Sequence, residues 1–202
     1  MKEIRLYNYQ AEMKERIDVA FRSYRSVMVQ MPTGTGKTVL LSEIVKGEER
    51  RVKNPCVWIV VHRRELVEQI RDTLNSMLSC PYSTLDTTSP LLSENSRIKV
   101  MSIQWLSRHY QDMAEKPSLI VIDEAHHAVA KTYAEVMNAY PEAKKLGVTA
   151  TPCRLNKKGF TDLFDVLLQS WPTKKFIADG RLSLYDYMSI KADSIDQRMV
   201  FG

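Results

Sequence analysis

The stretch that most limits what this chain can fold into is Met31-Pro32-Thr33-Gly34-Thr35-Gly36-Lys37-Thr38. An apolar run over 27–31 precedes it and reads as a buried strand, and residues 39–46 follow with helical spacing. A strand that passes through a glycine-rich turn into a helix directs successive backbone N–H groups and a helix N-terminus toward one anion. The expected ligand is a nucleotide phosphate, with Lys37 reaching the β- and γ-phosphates and the Thr38 hydroxyl ligating Mg²⁺. The general pattern asks for Gly where this chain has Met31, so the match departs at its first position, while Gly34-Thr35-Gly36-Lys37-Thr38 is intact. A lone Gly-Lys-Thr turn is also compatible with ordinary loop chemistry, so the rest of the chain must decide.

Around that loop, apolar runs alternate with amphipathic ones. Residues 1–25 carry Ala11, Ile17, Ala20 and Phe21 at helical spacing from a start near Asn8, and the first crossover helix runs from Thr38 to about Glu48. A second strand spans 57–61. A helix follows over 64–78 with Leu66, Val67, Ile70, Leu74 and Leu78 on one face. The Ser-, Thr- and Pro-rich segment 80–96 reads as a loop or irregular hairpin. Then come a strand over 98–103, a helix holding Trp105, Leu106 and His109, a strand over 118–122, a helix over 133–140, a strand over 145–149 and a short helix over 159–168. Strands separated by helices of this length imply parallel pairing, right-handed crossovers and helices on both faces. The predicted fold is α/β, a doubly wound, mostly parallel sheet flanked by helices.

Bulk properties narrow the class. The 202 residues suit one domain, expected over 1–180, with 181–202 as the start of a linker. No apolar run reaches the roughly 18 residues of a membrane span, and the first twenty residues lack the apolar stretch of a signal peptide. Cys56, Cys80 and Cys153 are odd in number and scattered, which argues against a disulfide framework and fits a reducing cytoplasm. The net charge of +5 admits a polyanionic partner without requiring one.

In a doubly wound sheet, ligands bind beyond the carboxyl ends of the strands. Those positions hold the phosphate loop, His62-Arg63-Arg64-Glu65-Leu66, Asp123-Glu124-Ala125-His126-His127 and Thr149-Ala150-Thr151-Pro152. Two adjacent carboxylates at the end of an apolar strand are costly unless a cation or proton is near. A Mg²⁺ on the β- and γ-phosphates supplies that cation, with Asp123 reaching it and Glu124 placed to orient the attacking water or take its proton. His126 and His127 do not share a helix face and lie at no zinc-ligand spacing. Near the N-terminus, Gln10 offers an amide donor and acceptor suited to an adenine edge, and its position is equally that of a residue near a helix start.

Taken in order, these residues resemble the first RecA-like domain of a superfamily 2 helicase or translocase of the Asp-Glu-Ala-His type. The resemblance makes Gln10 the adenine-reading glutamine, 31–38 motif I, 61–66 motif Ia, 101–106 motif Ib, 123–126 motif II and 149–151 motif III. The tail, with Gly147 through Leu155, Gly159-Phe160 and Leu163-Phe164-Asp165, is similar to DNA-repair and restriction-type motors of bacteria and phages. It implies ATP and Mg²⁺ as cofactors, held by Gln10, Thr33, Gly34, Thr35, Gly36, Lys37, Thr38 and Asp123, with Lys37, Asp123, Glu124 and His126 in the catalytic set. Only nine residues precede Gln10, so Arg5 or Tyr7 must supply any stacking on adenine.

The same resemblance gives Arg63, Arg64, Ser102 and Gln104 to a nucleic-acid backbone, DNA being favoured over RNA. The chemistry agrees, because guanidinium and small polar groups suit phosphate oxygens, though Arg63 and Arg64 also fit solvated charges at a helix start. Thr149 and Thr151 would couple hydrolysis to that groove through His126. Family motors also have a second RecA-like domain with arginines that reach the γ-phosphate, and no such pattern follows Thr151. The expectation is an ATP-binding half with low activity of its own, completed by a domain in the same or another chain. The competing classes are a non-catalytic nucleic-acid adaptor and a small-molecule phosphate-loop enzyme.

Overall fold

In the computed structural model, which describes residues 5–63, 66–68, 70, 97–127, 131–151 and 163–182, apolar runs become strands and amphipathic runs become helices in strict alternation at the start. The chain passes through α1 (Asn8–Ser23), β1 (Ser26–Gln30), α2 (Lys37–Arg51) and β2 (Val57–Val61), then β3 (Ile98–Ser102), α3 (Ile103–His109) and β4 (Leu119–Asp123). It ends with α4 (Lys131–Ala139), β5 (Lys144–Thr149), β6 (Val166–Gln169) and α5 (Thr173–Ala178). Short 3₁₀ turns occupy Tyr110–Asp112 and Ala125–His127. Residues 66–68 and 70 are helical, in line with the predicted 64–78 helix; the rest of that helix and the 80–96 segment lie outside the described residues.

The strands form one six-stranded sheet in the order β3-β2-β4-β5-β1-β6, and every pairing is parallel. Both faces are apolar because both are covered, which is why the strands read as unbroken hydrophobic runs. Side-chain alternation then divides each strand between two cores. Val27, Val29, Val57, Ile59, Leu119 and Val121 join α1 and α2 through Met13, Ile17, Leu40 and Ile44. Met28, Trp58, Val60, Ile120 and Ile122 join α3 and α4 through Leu106, Val136 and Met137. Cys56 packs at the edge of this second core, 5% exposed, as the small buried hydrophobe its strand-side position suggests.

One predicted element is corrected. The helix expected over 159–168 does not form across its second half: Val166–Gln169 is strand β6, paired with β1 from Val27↔Val166 to Gln30↔Gln169. Residues 159–162 lie outside the described residues. Leu163, Phe164, Leu167 and Leu168 recur at a spacing a helix also satisfies, so local pattern does not separate the two outcomes. What decides is β1, whose outer N–H and C=O groups would otherwise be left unpaired beside an apolar layer. The short helix α5, absent from the sequence-based reading, follows and seats Phe176 in the first core at 0% exposure.

Gly147 explains how Phe164 and Ala125 pack against the face of β5 at the site. A Cβ on Gly147 would stand 2.6 Å from Phe164 Cζ and 2.8 Å from Ala125 Cβ. The glycine therefore lets the residue after Asp123-Glu124 pack flat on β5, and Ala125, at 0% exposure, is small for the same reason.

Candidate nucleotide site at the carboxyl ends of the strands

The loop between β1 and α2 is built by glycine. Gly34 and Gly36 have φ of +80° and +75°, a region open to residues without Cβ, and Gly36 is the residue on which α2 begins. A Cβ at Gly36 would meet Gln10 Nε2 at 2.4 Å. The loop is braced at both ends: Met31 N–H donates to the Thr149 carbonyl (2.9 Å), and Thr35 Oγ1 donates to the Pro32 carbonyl (2.7 Å). Thr33 and Gly34 are exposed, Thr35 is buried, and Lys37 and Thr38 open α2 partly buried.

Because β5 lies next to β1 and β4 next to β5, the threonine-bearing and acidic strand ends meet this loop. Lys37 Nζ stands 3.7 Å from Glu124 Oε1. Glu124 Oε2 lies 3.2 Å from His126 Nδ1, and the same nitrogen is 2.9 Å from Thr149 Oγ1. A carboxylate only accepts, so the tautomer protonated at Nδ1 suits both contacts. Thr149, fully buried, also accepts from the Thr151 N–H at 3.1 Å. A continuous polar chain thus links Lys37, Glu124, His126, Thr149 and Thr151.

Two features of this chain run against ease of folding. Glu124 has φ of +50°, a left-handed conformation that costs a non-glycine residue about 1 kcal/mol. Burial pushes the Asp123 carboxyl above its usual range, the Glu124 charge pushes it further, and a hydrogen bond from the Glu124 backbone and the Lys37 charge only partly offset this. The Tyr133 phenol behind it is pushed up to about 12 by burial and the Asp123 charge. The strained backbone of Glu124 thus adjoins the overburdened Asp123 carboxyl.

These residues fit a triphosphate and a divalent cation. Glycines with positive φ leave the loop's N–H groups unobstructed, and the Asp123-Glu124 pair gains from added positive charge. Among the described residues no cluster of three or more His, Cys, Asp or Glu is placed to hold a metal ion. A Mg²⁺ at this point would take most of its ligands from phosphate and water, as is usual at nucleotide sites.

The remaining predicted positions are distributed around this centre. Gln10 is 2% exposed; its Oε1 accepts from the Tyr7 N–H (2.9 Å) and its Nε2 donates to the Thr35 carbonyl (3.0 Å). Arg5 is exposed, and Tyr7 is half exposed and stacked on Tyr9. Past β2 and β3, Arg63 is exposed and Gln104 Nε2 donates to the His62 carbonyl at 2.8 Å. Ser102 is buried and its hydroxyl accepts from the Trp105 N–H, capping α3. Arg64 lies outside the described residues. A groove of about 340 Å³ opens beside Gln104, lined by His62, Ser107, Arg108, Thr132 and Tyr133. Sequence reasoning passed over Arg108, although it follows Gln104 at the i,i+4 spacing that puts both on one helix face.

The fold is that of the RecA-like first domain of superfamily 2 helicases. Residues 3–154 match the family described as the res subunit of type III restriction enzymes, and the chain belongs to that family. It is similar to a 51.5 kDa protein of a Lactococcus phage, isolate 7-9, at 32% identity over 84% of this chain and 34% of that one. A DNA 3'-5' translocase, XPB2 of Sulfurisphaera tokodaii, is 26% identical over 82% of this chain and 35% of its own length. The chain therefore spans about a third of the length of each relative. Among solved structures, the type ISP restriction-modification enzyme LlaGI, in complex with a DNA substrate mimic, has a TM-score of 0.70 at 15% identity, covering 96% of this chain and 22% of that one. No helix among the described residues is long and apolar enough to cross a membrane.

Proposed function

We propose that the chain is the ATP-binding half of a DNA-dependent ATPase of the Asp-Glu-Ala-His type. The observation that carries the reading is the linked set Lys37, Glu124, His126 and Thr149 beside two left-handed glycines. Lys37 binds the β- and γ-phosphates, while Thr38 and Asp123 hold the cation that neutralises them. Glu124, already turned toward Lys37 and His126, orients the attacking water and accepts its proton. His126 ties this carboxylate to Thr149 and Thr151, so a shift of the γ-phosphate is felt on β5.

DNA is the polymer proposed because relatives and fold neighbours are named for acting on it. Gln104 and Arg108 line the groove beyond β2 and β3, Arg63 is exposed just after β2, and Arg64 is the further backbone contact expected from the resemblance, while the buried Ser102 caps α3. Residues 1–180 form the ATP-binding unit in this reading and 181–202 lead toward a second RecA-like domain. An arginine from such a domain is worth roughly 10³ to 10⁵ in rate at phosphoryl-transfer sites, so hydrolysis by this half alone should be slow.

Calorimetric titration of Mg²⁺-ATP into the 202-residue chain and its Lys37→Ala variant tests the assignment. Heat of binding in the parent and none in the variant is the expected pair; equal affinities would refute the phosphate-loop reading. For the groove, Arg63→Ala and Arg108→Ala should each lower the slope of log affinity for DNA against log salt by about one. Unchanged slopes would remove the groove from the proposal.

A further inference from the structure

The Tyr133 hydroxyl is buried and, among the described residues, has no hydrogen-bond partner. Folded proteins pair such groups almost without exception, so a hydroxyl left over at a functional edge points to an acceptor that it gains on binding. Packing does not explain its presence. The ring belongs to the second core with Ile103, Leu106 and Ala125, the residue is 4% exposed, and a phenylalanine would fill the same place without a polar atom to satisfy.

Tyr133 stands between two parts of the molecule. On one side it lines the groove of about 340 Å³ together with His62, Gln104 and Arg108. Ile103, which also lines the groove, opens the helix α3 that carries Gln104 and Arg108. On the other side, Ala125 shares the core cluster with Tyr133 and follows Asp123 by two residues, and the Asp123 charge is felt at the phenol. The polar chain of Lys37, Glu124, His126, Thr149 and Thr151 contains neither Asp123 nor a residue that lines the groove. Tyr133 therefore offers a second route, from α3 to the other carboxylate of the pair.

We infer that Tyr133 is a positioning residue linking the groove to the phosphate site: a nucleic-acid strand seated in the groove bears on the ring, and the hydroxyl beneath then donates to the Asp123 carboxylate and turns it toward the cation. The inference rests on the reading of both sites given above and adds a link between them. A carboxylate has lone pairs for several partners, so Asp123 can receive the phenol and face a cation with its other oxygen. Binding at either site then favours the same placement of Asp123, and the two affinities strengthen each other by one common factor.

The test is a binding cycle on the 202-residue chain, with the non-hydrolysable analogue AMP-PNP in Mg²⁺ and a DNA duplex bearing a single-stranded tail, each titrated alone and in the presence of the other. In the parent, DNA should tighten AMP-PNP binding by about fivefold or more, and AMP-PNP should tighten DNA binding by the same factor. Tyr133→Phe, which removes one oxygen and keeps the ring, should bring that factor to about one while each ligand alone binds within about twofold of the parent. Its urea midpoint should equal or exceed the parent's, because the hydroxyl leaves no partner behind. A Tyr133→Phe variant with the parent's factor would overturn the inference, as would a parent in which the two ligands bind independently. A lowered urea midpoint would also overturn it, by showing that the hydroxyl is already paired in the fold. If AMP-PNP alone fails to bind, the phosphate-loop reading falls, and if DNA alone fails, the groove reading falls; the inference falls with either.

Discussion

At the amino ends of the strands, Asp165 accepts hydrogen bonds from the N–H groups of Arg25 and Ser26, and Lys145 donates to the carbonyls of Tyr140 and Ala143. Glu48, 1% exposed, lies 3.5 Å from Lys144 and 3.7 Å from Arg51. At the carboxyl ends of the same strands, Asp123 and Glu124 stand side by side, with Lys37 3.7 Å from Glu124 and Glu124 at a positive φ. At the amino end, hydrogen bonds from the protein's own backbone outweigh burial for the Asp165 carboxylate, whereas burial and the Arg25 charge push the Lys145 ammonium down against the Asp165 and Glu142 charges. The carboxyl end leaves the partly buried Asp123 without a compensating cation beyond Lys37 among the described residues, a charge that a bound divalent cation would offset, and Glu124 in a left-handed conformation. The opposite directions in which the two aspartates move make the contrast measurable. Burial works against the Asp165 carboxylate, but its Ser26 and Arg25 bonds outweigh that and hold it below the usual 3.8, whereas Asp123 is driven above it.

The largest effect should come at Glu124. Glu124→Gln should cut ATP hydrolysis by about 10³-fold, near 4 kcal/mol of barrier, because the amide cannot take a proton. ATP affinity, read by calorimetry, should stay near that of the parent. A variant that hydrolyses ATP normally would place the proton acceptor elsewhere. Next in size is the wall joining the site to the core: Gly147→Val should cost about 3 kcal/mol in urea unfolding, since Phe164 and Ala125 occupy the space a side chain needs. Tolerance of valine would mean that Phe164 and Ala125 can give way without loss.

Asp165 and Asp123 should respond oppositely to pH. The Asp165 carboxyl has a lowered folded value, so its contribution is present above 3.8 and is lost as pH falls through that lower folded value. Asp165→Asn, at an exposed position, should cost about 1 kcal/mol at neutral pH and nothing at the acid end. Asp123 behaves inversely. Its raised folded value means the native state holds the proton more tightly, so the ligand-free chain gains stability as pH falls from above that value toward 3.8. Unfolding midpoints of each variant against the parent, across that range, separate the two contributions.

Much of this was legible because it is local. The strands of the sheet's interior are short runs without polar interruption, as in Leu119 to Ile122, and the loop and the acidic tetrad keep their chemistry within a few consecutive residues. What was not legible depends on pairs distant in sequence. The strand identity of β6 is settled by β1, some 139 residues away, and local spacing pointed to a helix. The Arg181 guanidinium over the Tyr7 ring and the double engagement of Gln10 likewise belong to no local pattern, since each joins segments that only the folded sheet brings together. Gly147 was visible as a letter, but its reason, the closeness of Phe164 and Ala125, was not.

At the carboxyl end of the sheet, the partly buried Asp123 carboxyl carries a charge burden that a bound cation would offset. Thermal unfolding of the parent chain and Asp123→Asn, each with and without Mg²⁺-ATP, measures it. Asp123→Asn should melt higher than the parent without ligand and gain little from Mg²⁺-ATP, while the parent gains several degrees. An Asp123→Asn variant that melts lower than the parent without ligand, or is stabilised by Mg²⁺-ATP as much as the parent is, would rule this burden out.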